Sequence, residues 1–198
     1  MTLSFTSDSP TQRLSPVAII LGSITTVASL MFCSLLMPLR LPGIDLLGTG
    51  TNWLLMWVVA WSIGRSPLDA VLGGLAAGAI HDGLTDFNPS HIWSLALVAY
   101  LTSKLHGKRS QSVNFAVISL TAFGLTIIAE TVTALQFILL GDRHLDDLWT
   151  QHQRLALASA ILNSLWSPVL ILPLRQLWRL AAQWGQPRPL SSPDTNRL

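Results

Sequence analysis

From Pro16 to Met37 the chain runs 22 residues without a charged side chain. At 1.5 Å per residue, a helix of that length covers the roughly 30 Å of a bilayer's hydrocarbon core. Lipid offers no hydrogen-bond partner to a bare backbone amide, so such a segment crosses as a helix and the rest of the chain must meet the same condition. Further apolar stretches follow at about 46–63, 67–84, 89–103, 113–140 and 155–174. Charged residues make up 11% of the 198, against about 25% in an ordinary soluble domain, too few to cover a soluble fold of this size. The expectation is an all-α, polytopic membrane protein with six transmembrane helices in one domain, residues 13–185. Residues 1–12 and 186–198, rich in Ser, Thr, Pro and Asn, read as disordered cytoplasmic tails.

The third and fourth stretches form a hairpin. A small-residue run, GGLAAGAI, leads into His81-Asp82-Gly83; a polar turn, TDFNPSH, follows; IWSLALVAYL leads back. Charged groups at the tip belong at or near an interface, because hydrocarbon cannot solvate them.

The basic residues orient the bundle. With the N-terminus inside, Arg13, Arg65, Lys104, Lys108, Arg109, Arg175, Arg179, Arg188 and Arg197 fall on the cytoplasmic side, and only Arg40, Arg143 and Arg154 on the other. Asp45, Asp82, Asp86, Asp142, Asp146 and Asp147 fall outside. Nine against three is a positive-inside bias and predicts both termini in the cytoplasm.

Several residues stand out as partner-interface or helix-packing candidates. Glu130 is the one charged residue deep inside a span; a carboxylate there costs roughly 2.5–3.5 kcal/mol on insertion scales. It reads either as a neutral, hydrogen-bonded helix anchor, with Thr126, Thr133 or Asn163 as partners, or as part of a proton or cation path. Asn163, in SAILNSLWSP, reads as a bond across a helix contact or as a ligand group. Gly74 and Gly78 make a small-xxx-small pair that favours close helix approach, within the chain or toward a partner. Trp53, Trp57 and Trp61 recur every fourth residue as one stripe, meeting lipid and its interface or a partner helix. Trp178 and Trp184 fit a cytoplasmic interfacial belt. Cys33, the only cysteine, lies in an apolar span and allows no intramolecular disulfide.

Other chemistry finds little footing. His81, Asp82, His144, Asp146, Asp147 and His152 follow no standard metal-ligand spacing, so no metal or cofactor is assigned. Nucleophile elbows, phosphate loops and Cys-His pairs are absent from the sequence, which argues against an enzyme. A net charge of +2 and no recognition motif argue against nucleic acid. Leu145, Leu148 and Trp149 mark a short amphipathic segment on the outer surface within 141–154.

From Asn52 to Arg179 the chain resembles a known family, the rod-shape-determining membrane protein MreD. The likeness begins in NWLLMWVVAWSIGRSPLDAVLGGLAAGAIHDGL, an aromatic span, a basic/Pro corner, then a Gly-rich span ending at Asp82. It continues through SLALVAYLTSKL and the AET around Glu130. It closes in SAILNSLWSPVLILPLRQLWR, with Asn163, then Trp166 and Pro168, then an Arg at the exit. The turn GLTDFNPSH is more polar than in that family. The resemblance implies a non-enzymatic scaffold in the bacterial plasma membrane, part of the elongation complex that supports cell shape and sidewall peptidoglycan synthesis. Its implied partners are an MreC-like single-span protein, an MreB-like actin homologue, wall-synthesis enzymes and membrane lipid. The six-helix arrangement also resembles the substrate-binding components of vitamin transporters. That gives an alternative, a small-molecule-binding transporter component using Glu130 and Asn163.

Overall fold

The computed structural model describes residues 16–38, 50–85, 89–107, 114–139 and 145–184. These hold six α-helices: α1 Pro16–Leu36, α2 Trp53–Ser62, α3 Pro67–Leu84, α4 His91–Leu105, α5 Phe115–Leu139 and α6 Leu145–Trp184. Both expected tails, and charged positions such as Arg13, Arg40, Asp86, Lys108, Arg109, Asp142 and Arg143, lie outside the described residues, as does His144.

Among the described residues, three helices are long and apolar enough to cross a membrane: α1 over Ile19–Leu36, α5 over its whole length, and α6 over Gln153–Trp184. Length and composition single out these three of the six expected crossings. Of the second stretch, expected over 46–63, the described residues are helical over the 10 of α2, about 15 Å, half a hydrocarbon core.

Local chemistry sets the ends. The Asn52 side chain accepts from the Leu55 N–H at 2.9 Å and caps α2. Gly64, at φ 81°, takes the left-handed conformation that ends it. Ser66 caps α3, with Pro67 in the first turn and Asp69 closing back on the Ser66 hydroxyl at 2.7 Å. Ser90 caps α4.

Helix α2 is the hub. It packs against all five other helices, and nine of its ten residues are buried. A helix apolar all round has no face to turn to water, and here it is enclosed by its own chain. This corrects the lipid-facing reading of the tryptophan stripe. Trp53 meets Trp166 edge-on at 6.0 Å, and Trp57 meets Trp178 at 6.2 Å, so α6 covers the stripe. Trp178, expected in an interfacial belt, is half-buried in that cluster, while Trp184 is exposed.

The α3–α4 hairpin is the tightest pair. A Cβ added at Gly74 would lie 2.7 Å from the Leu95 carbonyl oxygen, and one at Gly78 would lie 2.5 Å from Ile92 Cα. The glycine face is therefore occupied by α4 of the same chain.

Helix α6 is 40 residues long rather than ending at 174, and Pro168 and Pro173 lie inside it. Pro168 has no N–H to give to the Ser164 carbonyl. The Ser167 hydroxyl donates to that oxygen instead, at 3.0 Å. The amphipathic segment expected after 141 is, from Leu145 on, the continuous start of α6.

Outward-facing side chains on α1 are mostly apolar, among them Ile20, Ile24, Val27, Phe32 and Leu35, and α5 adds Leu120, Leu135 and Leu139. In water this would be a very large apolar patch; in hydrocarbon it is the ordinary surface of a spanning helix.

Candidate functional site

Polar chemistry gathers at three levels of the bundle. In the middle, Asn163 on α6 is wholly buried. Its Oδ1 accepts the Asn52 backbone N–H at 2.9 Å, and its Nδ2 donates to Thr126 Oγ1 at 3.1 Å. The Thr126 hydroxyl in turn donates to the Ala122 carbonyl at 2.7 Å. One amide thus ties α6 to the start of α2 and to α5. Glu130 lies one turn past Thr126, half-buried and engaged within the protein. Asn163 and Thr126 pair with each other, and Thr133 donates to its own helix at Ala129. The amide of Asn163 is occupied by structural bonds on both its atoms.

At the hairpin tip, Asp82 is buried to 1% exposure. Its Oδ2 accepts from Ser90 Oγ at 2.7 Å, and its Oδ1 accepts from the His91 backbone N–H at 2.7 Å and lies 3.0 Å from His91 Nδ1. A carboxylate at the first amides of α4 is favoured by those N–H groups and by the helix dipole. Asp82 is therefore a latch closing the end of α3 on the start of α4. The His81 ring stacks on His91, centroids 3.8 Å apart and planes tilted by 33°.

His81, Asp82 and His91 offer ligand atoms that all lie within 4.8 Å of one another. Two imidazoles and a carboxylate are a donor set that suits a divalent transition metal. In this arrangement Asp82 already holds Ser90 and His91, and the two rings lie against each other at a 33° tilt. The sequence reading named His81 and Asp82 but assigned His91 no role beyond the tip. The missed signal was the Ser90-His91 start of an apolar run, where an N-terminal cap attracts a carboxylate from elsewhere in the chain.

At the opposite end, Trp61 stacks on Trp57 with centroids 5.5 Å apart, and Trp178 meets Trp61 edge-on at 5.4 Å. The Arg65 guanidinium lies over the Trp61 ring, 3.3 Å from its centroid. The Gly64 N–H donates to the His106 carbonyl at 3.0 Å and joins the α2–α3 corner to the end of α4. His106 Nε2 lies 2.9 Å from Thr121 Oγ1 on α5. Burial, and then the nearby Arg175 guanidinium, hold the His106 imidazole below the usual histidine range.

A separate groove of about 490 Å³ opens between α5 and α6. Ile127, Ala134, Leu135, Ile138, Ala156 and Leu157 make it largely apolar, with Thr131 and Gln153 the polar residues of its lining. Neither Glu130 nor Asn163 lines it.

The nine sequence-singled residues thus divide by place. Trp53, Trp57, Trp61 and Trp166 join α2 to α6; Gly74, Gly78 and Asp82 join α3 to α4; Asn163 joins three helices, and Glu130 follows its partner Thr126 by one turn of α5. No family model, no curated protein and no solved structure matches the chain.

Proposed function

We propose that this chain is a non-enzymatic membrane scaffold that seats the transmembrane helix of another protein. The observation that carries it is the apolar α5–α6 groove beside a bundle whose buried polar groups bind its own helices. A slot of this composition gives packing contact to an apolar helix and nothing for turnover chemistry to act on. Following the resemblance to MreD, the partner is an MreC-like single-span protein, with an MreB-like actin homologue and wall-synthesis enzymes further out. The complex would support bacterial cell shape and sidewall peptidoglycan synthesis. In this reading the three long helices and the shorter α2–α4 set make six passages through the plasma membrane, with both termini cytoplasmic.

The test is cross-linking at the groove. Leu135→Cys, placed in a Cys33→Ser background, is expected to cross-link to the single span of a co-expressed MreC-like protein, while Ile20→Cys on α1 does not. Equal labelling from both positions, or failure to co-purify in mild detergent together with normal cell shape on depletion, refutes it. The alternative, a transporter component using Glu130 and Asn163, predicts that Glu130→Gln abolishes uptake of a small molecule. It is less well supported, because both residues lie off the groove and the Asn163 amide is already bonded.

A further inference from the structure

The hydrogen bonds at the turn end of the α3–α4 hairpin fix where each neutral histidine ring carries its proton. Asp82 accepts at both oxygens, from Ser90 and from the His91 backbone. The 3.0 Å contact between His91 Nδ1 and Asp82 Oδ1 therefore puts the His91 proton on Nδ1. His81 Nδ1 lies 3.3 Å from Thr85 Oγ1, and that hydroxyl gives its one proton to the His81 carbonyl at 2.8 Å. The Thr85 oxygen is left to accept, so His81 also carries its proton on Nδ1. Each ring keeps a bare lone pair on Nε2. Neither Nε2 has a hydrogen-bond partner among the described residues, and neither is sealed from solvent. With ring centroids 3.8 Å apart, the two are neighbouring atoms that can only accept.

Charge points the same way. Asp82 is an anion at 1% exposure, and among the described residues its one ion-pair partner is His91. Lysine and arginine supply it with no counter-ion there. A cation on the far nitrogen of His91 compensates that carboxylate through the ring. Carboxylate, imidazole and metal in series is the usual way a ligating histidine is oriented and made more basic.

We propose that His81 and His91 bind a divalent transition-metal ion of the zinc type through their Nε2 atoms, with Asp82 holding the His91 ring in position. Imidazole nitrogen suits zinc, copper and nickel, whereas magnesium and calcium take oxygen ligands. Zinc sits about 2.0–2.1 Å from a ligating nitrogen. One ligand atom from each of the three residues already lies within 4.8 Å of the others. A small turn of His91, the more exposed of the two rings, closes the pair on an ion. Two imidazoles leave coordination positions open to water. The ion ties the last turn of α3 to the first turn of α4. The site is independent of the partner-helix reading, since it shares no residue with the α5–α6 groove.

The test uses full-length protein without a polyhistidine tag, in neutral detergent. His144→Gln and His152→Gln form the background, which leaves His81, His91 and His106 as its histidines. Zinc or magnesium is titrated in and followed by calorimetry. One zinc per chain is expected, and no magnesium. His81→Gln and His91→Gln should each weaken zinc binding about 100-fold. His106→Gln, at the opposite end of the bundle, should bind as the background does. A measurement on the unaltered site needs no variant of it: pulsed electron paramagnetic resonance of the background protein with one equivalent of copper(II) counts the coordinated imidazoles. Two support the site, and one or none overturns it. Absence of zinc binding, equal binding of magnesium, undiminished binding in the His81→Gln/His91→Gln protein, or an equal loss in His106→Gln also overturns it. Zinc held by the wild type and lost in the background places the ion on His144 or His152, and likewise overturns the proposal.

Discussion

Adding one methyl group at Gly78 should loosen the α3–α4 hairpin, and the structure sets the scale of the effect. The new Cβ would lie 2.5 Å from Ile92 Cα and 3.0 Å from its backbone nitrogen. Carbon atoms in contact sit about 3.5–4.0 Å apart, so the overlap is roughly 1 Å. The obstructing atoms are backbone, and no rotamer change relieves them; α4 must move away. Overpacking of this kind costs about 1–3 kcal/mol, and a backbone clash belongs at the upper end. Replacing Gly by Ala inside a helix returns about 0.8–1.0 kcal/mol of propensity. The net expectation for Gly78→Ala is a loss of about 1–2 kcal/mol. Gly124 on α5 supplies the control, because a Cβ there meets nothing within 4 Å. Gly124→Ala should be neutral or gain up to about 1 kcal/mol. Thermal unfolding in detergent, read by dye labelling of Cys33, compares them directly. A Gly78→Ala protein that unfolds at or above the midpoint of Gly124→Ala would refute the close-packing argument.

Two further outcomes follow from the polar contacts. Asn163→Ala removes two interhelical bonds and orphans the Asn52 amide, and should cost about 2–4 kcal/mol in the same assay, well beyond Ser164→Ala on the exposed face of α6. His106 is held below its ordinary pKa in the folded state, so the unfolded chain binds the proton first as pH falls. Its contribution is whole above about pH 6.5 and is lost as pH drops from there toward the folded value; wild type should therefore lose more stability than His106→Gln between pH 7.5 and 5.5, and equal losses would show that this group is not responsible.

Much of the helical content was legible in the sequence because uncharged runs, and Ser or Asn just ahead of them, carry their own physics. Asn52, Ser66 and Ser90 cap α2, α3 and α4 where such residues should. The extent of α6 was not legible. Pro168 and Pro173 fall inside the stretch expected to end at 174, and only the structure shows the Ser167 hydroxyl serving the carbonyl that Pro168 leaves open. The tryptophan stripe was visible as a period, but its direction was not. In an all-apolar helix no polar face marks the outside, so lipid contact and burial look alike in sequence. The tip was half-read: Asp82 was found, yet its bonds reach across a turn to Ser90 and His91. Arg65, Arg175 and Arg179 line one cavity at the α2–α3 corner, and no local pattern links positions so far apart in the chain.

The enclosure of α2 has a consequence for how the protein comes to exist. Its first turn is tied to Asn163, 111 residues later in the chain. At 5–20 residues per second, a ribosome takes on the order of ten seconds to make that stretch. For all of that time a 10-residue helix, too short to stand across the bilayer alone, waits without its last wall and with the Asn52 amide unanswered. The membrane insertion machinery must therefore hold the early helices together until the last one arrives, and a chain cut short before Asn163 stays recognisably unfinished to the proteases that survey the membrane.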